Sequence, residues 1–206
     1  MNFILLAAGQ GQRMGGNKAL MKYQGKPWIL HQLQQITEVG FQSITIVTNS
    51  ASETELEKTL EDFVPKVLVL SNPQPDKGPF SSLQLAIAAT PEDASFISPV
   101  DVPLKATTLR KLRQAWLQHG HLEALIPTYQ GRGGHPVILS ANLRRGLLKL
   151  PVDHPESRLD FVLKSVPENK KRSTRPAAVL VLILFVLRTS ISAIRKRKAQ
   201  KRKNWK

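Results

Sequence analysis

Cysteine is absent from this 206-residue chain, so no disulfide framework, thiolate nucleophile or cysteine-ligated zinc is available. That absence fits a reducing, cytoplasmic setting. The N-terminus lacks a basic leader region, and its apolar run Phe3–Ala8 is too short for a signal peptide. A run long enough to span a bilayer is missing too, since spanning needs about 20 apolar residues and the longest pure run, Ala177–Leu187, stops at Arg188. Acidic residues are missing altogether after Glu168.

That last absence explains the charge. The formal net charge is +15, which on its face suggests a polyanionic partner. Residues 1–168 carry 17 basic and 15 acidic side chains, whereas residues 169–206 carry 13 basic ones and no acid. The body is nearly neutral and the excess belongs to the tail. No specific nucleic-acid partner is expected for the body.

Apolar runs alternate with amphipathic stretches. The runs Phe3–Ala8, Ser43–Val47, Lys66–Leu70, Ser95–Ser98, Ala124–Pro127 and Pro136–Leu139 read as strands covered on both faces. Pro27–Val39, Ser52–Phe63, Phe80–Ala89 and Thr107–His119 read as helices, with Pro27 in a first turn and Ser52/Glu55 as a capping box. Such alternation predicts an α/β fold: a three-layer α/β/α, Rossmann-like, doubly wound and mostly parallel sheet. Ligands of such a sheet bind beyond the carboxyl ends of its strands.

The first strand runs into Leu6-Ala7-Ala8-Gly9-Gln10-Gly11-Gln12-Arg13-Met14-Gly15-Gly16-Asn17-Lys18. Four glycines let this backbone approach a ligand closely, and successive N–H groups in such a loop cradle phosphate oxygens. Arg13 and Lys18 add two cations, the combination a nucleoside triphosphate requires. A dinucleotide-binding fingerprint fails because Gly9 and Gly11 are followed by Met14 where a third glycine belongs. The second strand ends in Val47-Thr48-Asn49, without an acid for the ribose. A Walker loop fails because Gly16 is followed by Asn17. The plainer alternative is a glycine-rich turn with scattered basic residues. Farther on, the fourth strand leads to Asp101 between Pro99 and Pro103. A carboxylate there is suited to Mg²⁺, which takes one or two carboxylates together with phosphate oxygens. The alternatives are a turn acid or a cap for the helix starting near Thr107.

The glycine loop resembles the signature loop of the molybdenum cofactor nucleotidyltransferases. Three further strings continue the resemblance in order: Asn72–Leu83, containing Gly78, Ser81 and Ser82; Ser98-Pro99-Val100-Asp101-Val102-Pro103-Leu104; and Gly131-Arg132-Gly133-Gly134-His135-Pro136-Val137. The last is similar to the cytidylyltransferase branch. The resemblance implies attack by a phosphorylated acceptor, a molybdopterin-type molecule, on the α-phosphate of CTP or GTP, with Mg²⁺ and loss of pyrophosphate. It also implies a molybdoenzyme or its chaperone as a downstream partner. It assigns Leu6, Ala7, Ala8, Gly9 and Gly11 to the nucleotide through backbone. Arg13 and Lys18 are assigned to the phosphates, Asn49 and Asp76 to the nucleoside, and Asp101 to the metal. Arg13, Lys18 and Asp101 are the catalytic set, and Ser81, Ser82 and His135 face the acceptor. A core role remains open for His135. His31, His119, His121 and His154 have no motif around them and read as surface residues.

The resemblance covers residues 3 to 168. Ser157–Leu163 resembles a late helix of the family, but the following strand and the acid-bearing motif that often supplies a second metal ligand have no counterpart. The domain is therefore placed at 1–168, with 169–206 as a basic tail outside the catalytic fold. Three readings of the tail stand: a membrane span, which its length disfavours; a basic amphipathic or membrane-surface element; or unselected sequence from a frameshift or truncation. Two further function classes remain beside the transferase: a dinucleotide-binding oxidoreductase, and an impaired fold acting through its tail on nucleic acid or anionic membrane.

Overall fold

The computed structural model describes residues 1–9, 16–155 and 157–174. Gly11 and Arg13 of the glycine loop, and the apolar run 177–187, lie outside the described residues.

Strand β1 (Asn2–Leu6) lies in the interior of the sheet. It pairs in parallel with β4 (Ser43–Asn49) on one side and β6 (Ser95–Pro99) on the other. Beyond β4 lies the parallel β5 (Leu68–Asn72). Beyond β6 come the antiparallel β9 (Val137–Leu139), then β7 (Ala124–Tyr129) and β10 (Lys171–Thr174), which is parallel to β7. The order is β10-β7-β9-β6-β1-β4-β5, with the short β8 (Arg132–Gly133) hairpinned onto β7. The tight β7–β8 turn uses Gln130 at φ 49 and Gly131 at φ 76, left-handed values that glycine adopts without strain. A separate ribbon joins β2 (Lys22–Tyr23) and β3 (Lys26–Pro27).

Both faces of the sheet are covered. Successive residues of β1 point to opposite faces, so Phe3, Leu5 and Ala7 join one apolar cluster and Ile4 and Ala8 the other. The first cluster is closed by α1 (Trp28–Thr37), α2 (Ser50–Leu60) and α4 (Ala106–Leu117). The second is closed by α3 (Pro79–Ala89), α5 (Ala141–Leu148) and α6 (Leu159–Ser165). The result is the expected three-layer α/β/α sandwich.

The structure departs from the sequence expectations at several points. Strand β4 runs to Asn49 and α2 starts at once with Ser50, so Ser52 lies inside the first turn and forms no capping box. Asp101 does not cap α4: the cap position is Lys105, and the Ala106 amide is taken by Gln35 Oε1 at 3.0 Å. Helix α5 was not anticipated; Ser140 caps it through a bond from the Leu143 amide of 2.9 Å. His31 is half-buried, packed edge-on to Tyr23 and bonded to the Tyr23 carbonyl oxygen at 2.8 Å. The sheet also continues past the expected boundary at 168: Lys171–Thr174 form an edge strand, and the Glu123 amide donates to Lys170 O at 2.8 Å.

Candidate functional site

Topology places the site. From β1 the chain winds outward through β4 to β5, and then returns to the other side of β1 as β6. Loops leaving the carboxyl ends of β1 and β6 therefore diverge and open a crevice, the place where open α/β sheets bind ligands. The glycine loop leaves β1 and the Asp101 loop leaves β6.

The described ends of the glycine loop are fastened to the sheet. Leu6 O accepts from the Val100 amide at 2.9 Å, and the Ala7 amide donates to Val47 O at 2.7 Å. Ala8 O accepts from Asn49 Nδ2 at 3.1 Å. On the return side, Asn17 Oδ1 accepts from the Ala19 amide at 2.9 Å while its Nδ2 reaches Ala7 O at 3.3 Å. Asn17 thus caps the 3₁₀ turn Lys18–Leu20 and ties the loop's exit to its entrance. An Asn directly before a short helical turn is the sequence cue for this cap. Because of this fastening Lys18 enters the crevice from a fixed base.

Lys18 Nζ and Asp101 Oδ2 are 2.5 Å apart, although 83 residues separate them in sequence. Both side chains keep access to solvent, at 39% and 44% exposure. His135 comes from the third side. It precedes β9, whose antiparallel pairing sets Val137 opposite Ile97, so it lies by the carboxyl end of β6. Burial pushes the His135 imidazole below its ordinary pKa, and the Asp101 carboxylate pulls it back only in part. His135 is therefore neutral at pH 7 and offers one donor and one acceptor nitrogen.

Beyond the carboxyl ends of β4 and β5 lies a cavity of about 670 Å³, lined among others by Gly16, Asn17, Asn49, Ser50, Glu55 and Pro75. Asn49 is 6% exposed, and its Oδ1 has no hydrogen-bond partner among the described residues. A buried unpaired acceptor costs about 1–3 kcal/mol, so this atom is suited to a donor supplied by a ligand. Another cavity of similar volume opens beside the amino-terminal end of β7, at the far end of the sheet, and carries no motif residue.

The remaining expected residues are placed less directly. Asp76 is exposed on the 3₁₀ turn Pro75–Lys77 after β5. Ser81 and Ser82 open α3 and are engaged by the buried Asn72, whose Nδ2 donates to Ser81 Oγ at 2.9 Å and Ser82 Oγ at 2.8 Å. Ser82 is 3% exposed. Gly78, at φ 82, turns the chain from the 3₁₀ turn into α3, and Ser81 Oγ donates to its carbonyl at 2.8 Å. In this structure the two serines fix the loop that carries Asp76. Asn72 was missed as their organiser because a polar residue ending a strand reads as an ordinary loop residue.

A family model described as a MobA-like NTP transferase domain matches residues 3–169. The chain belongs to that family. Among curated relatives of this MobA-like domain, the bifunctional protein GlmU of Syntrophomonas wolfei subsp. wolfei is 31% identical over 121 residues, which are 57% of this chain and 26% of the relative. The molybdenum cofactor guanylyltransferase of Pseudomonas fluorescens is 32% identical over 114 residues, 54% of this chain and 53% of the relative. The chain therefore spans about half of one relative and about a quarter of the other. Among solved structures, 4-diphosphocytidyl-2C-methyl-D-erythritol synthase from Anaerococcus prevotii superposes with a TM-score of 0.72 at 13% identity, covering 87% of this chain and 88% of that one. At that identity the likeness establishes the fold.

Among the described residues no group of three or more histidine and acidic side chains is placed to hold a metal ion. The described residues of the MobA-like domain therefore offer no protein-only cage. What they offer is one half-exposed carboxylate, Asp101, beside a cation. That donor set fits a hydrated Mg²⁺ held jointly by a carboxylate and the phosphates of a bound nucleotide.

Proposed function

We propose that the domain transfers a nucleotidyl group from CTP to a phosphorylated, molybdopterin-type acceptor, releasing pyrophosphate. The observation that carries the reading is the Lys18–Asp101 pair at the divergence of the β1 and β6 loops. A lysine and a carboxylate in contact form a pre-set charge pair. A triphosphate competes for Lys18 Nζ with its own oxygens and frees Asp101 Oδ2 for a divalent cation, which supplies charge neutralisation at the phosphates when bound. Lys18 then offsets charge on the departing pyrophosphate, and the fastened loop aligns the α-phosphate for attack, so positioning and electrostatics do the chemical task. Asn49 Oδ1 accepts from the nucleoside, to which Asp76 is also assigned. Arg13 and the amides of Gly9 and Gly11 are assigned to the phosphates. His135, neutral and facing the crevice, hydrogen-bonds the acceptor beside Ser81; Ser82 orders the same helix start.

The string Gly134-His135-Pro136-Val137 supports CTP as donor. The guanylyltransferase relative supports a second reading with GTP. Calorimetric competition between Mg-CTP, Mg-GTP and NADPH tests both. The proposal expects a triphosphate to win and Lys18→Ala to weaken its binding by at least about tenfold. Preferential NADPH binding would replace the transferase with an oxidoreductase. A clear win for GTP would move the chain to the guanylyl reading.

A further inference from the structure

Helix α1 buries an apolar stripe of Trp28, Ile29, Leu33 and Ile36, yet Gln32, in the middle of that stripe, is 1% exposed. An amide buried there costs stability unless it is bonded, and all its bonds go to one place. Its Nε2 donates to Val100 O at 3.2 Å and to Val102 O at 2.6 Å, and its Oε1 accepts from the Leu104 amide at 3.0 Å. The two carbonyls belong to the residues on either side of Asp101. Trp28 Nε1 adds a second donor to Val100 O at 2.6 Å. The stretch 100–105 has no helix or strand of its own to satisfy its backbone. The α1 side chains satisfy Val100 O, Val102 O and the Leu104 amide instead, while the Val100 and Val102 amides bond to Leu6 O and Pro99 O.

We propose that Gln32, assisted by Trp28, is a positioning residue that holds the Asp101 carboxylate in register for a divalent cation. By turning the carbonyls before and after Asp101 into the core, the amide leaves the Asp101 side chain only the outward direction, toward Lys18. The inference rests on the reading of Asp101 as a cation ligand. Groups that orient a metal-binding carboxylate govern affinity strongly, with losses of about 10–100-fold when they are removed.

The test is Mn²⁺ binding to the full chain with a non-hydrolysable triphosphate, followed by electron paramagnetic resonance. Gln32→Met keeps the volume and removes all three bonds. It is expected to weaken Mn²⁺ binding by about tenfold or more, speed hydrogen exchange at the Leu104 amide, and leave metal-free triphosphate binding within about twofold. Trp28→Phe removes one hydrogen bond and is expected to weaken Mn²⁺ binding by a few fold, about what one bond contributes. Wild-type Mn²⁺ affinity in a folded Gln32→Met, with affinity lost in Asp101→Asn, would overturn the positioning role alone. Wild-type affinity in Asp101→Asn would overturn the ligand reading and this inference with it. If Gln32→Met does not fold, Trp28→Phe decides: unchanged Mn²⁺ affinity there overturns the proposal.

Discussion

Arg144 shows how a single side chain holds the frame behind the site. It sits on α5, is 2% exposed, and its guanidinium donates to the carbonyls of Ile87, Thr90, Pro91 and Asp93. Ile87 O and Thr90 O lie where α3 ends, an end of the helix that favours a cation, while Pro91 O and Asp93 O, in the turn into β6, also accept from Asn2 Nδ2, the Asp93 amide and Ser95 Oγ. Burial lowers the Arg144 pKa while Asp93 and Glu92 oppose the shift, and an arginine remains charged at any physiological pH. Arg144→Met keeps the stem and removes the donors. It should lower stability by about 3 kcal/mol, since each buried acceptor left unpaired costs about 1–3 kcal/mol. Denaturant unfolding checks this, and a loss under about 1 kcal/mol would show that the turn finds other donors. At the same scale, Asp101→Asn should reduce nucleotidyl transfer by at least about tenfold while leaving the melting temperature close to wild type, because the Lys18–Asp101 pair is half-exposed and such pairs contribute little to stability.

Among the elements, β7 and α5 are joined by Glu123. Its carboxylate accepts from Ser140 Oγ and from Asn142 Nδ2, the latter at 2.9 Å. Burial pushes the Glu123 pKa up, but the Ser140 and Asn142 bonds, the Lys170 charge and the Leu143 amide outweigh it and hold the group below its usual value. A carboxyl group lowered in the folded state contributes stability above its unfolded pKa and loses it as pH falls through the folded one. Stability should therefore decline on acidification below about pH 4, and Glu123→Gln should flatten that limb of the stability–pH curve. An unchanged limb in the variant would assign it to other carboxylates. The central strands and the first four long helices were legible because two-sided apolar runs and amphipathic periods survive in one dimension. The strand–helix junction at Asn49–Ser50 was not, since it leaves no turn residues between elements. Helix α5 was not, because it is only eight residues long and contains Gly146. The four site strings were legible as chemistry. The fastening roles of Gln32, and of Asn17 and Asn72 inside two of those strings, were not, because they lie in partners 68–72, 10 and 9–10 residues away.

For the whole molecule, the tail and the catalytic claim remain to be tested. The fold extends through β10, and the basic, acid-free stretch beyond it is proposed to lie outside the catalytic unit. A chain ending at Arg175 should melt with the full-length protein and express at least as well, because an apolar run such as Ala177–Leu187 is an aggregation hazard when exposed. A chain ending at Glu168 loses the β10–β7 ladder and should melt several degrees lower, at about 2–4 °C per kcal/mol for a domain of this size. A much lower melting point for the Arg175 truncation would place the tail inside the folded unit. The central claim is nucleotidyl transfer at the Lys18–Asp101 crevice. Its most direct measurement is label transfer from α-phosphate-labelled CTP or GTP to molybdopterin with Mg²⁺, in wild type and Asp101→Asn. The account predicts acceptor-dependent transfer with stoichiometric pyrophosphate in the wild type, reduced at least about tenfold in the variant. Equal transfer by both proteins, or none from either triphosphate by a wild-type chain that binds it, would contradict the account.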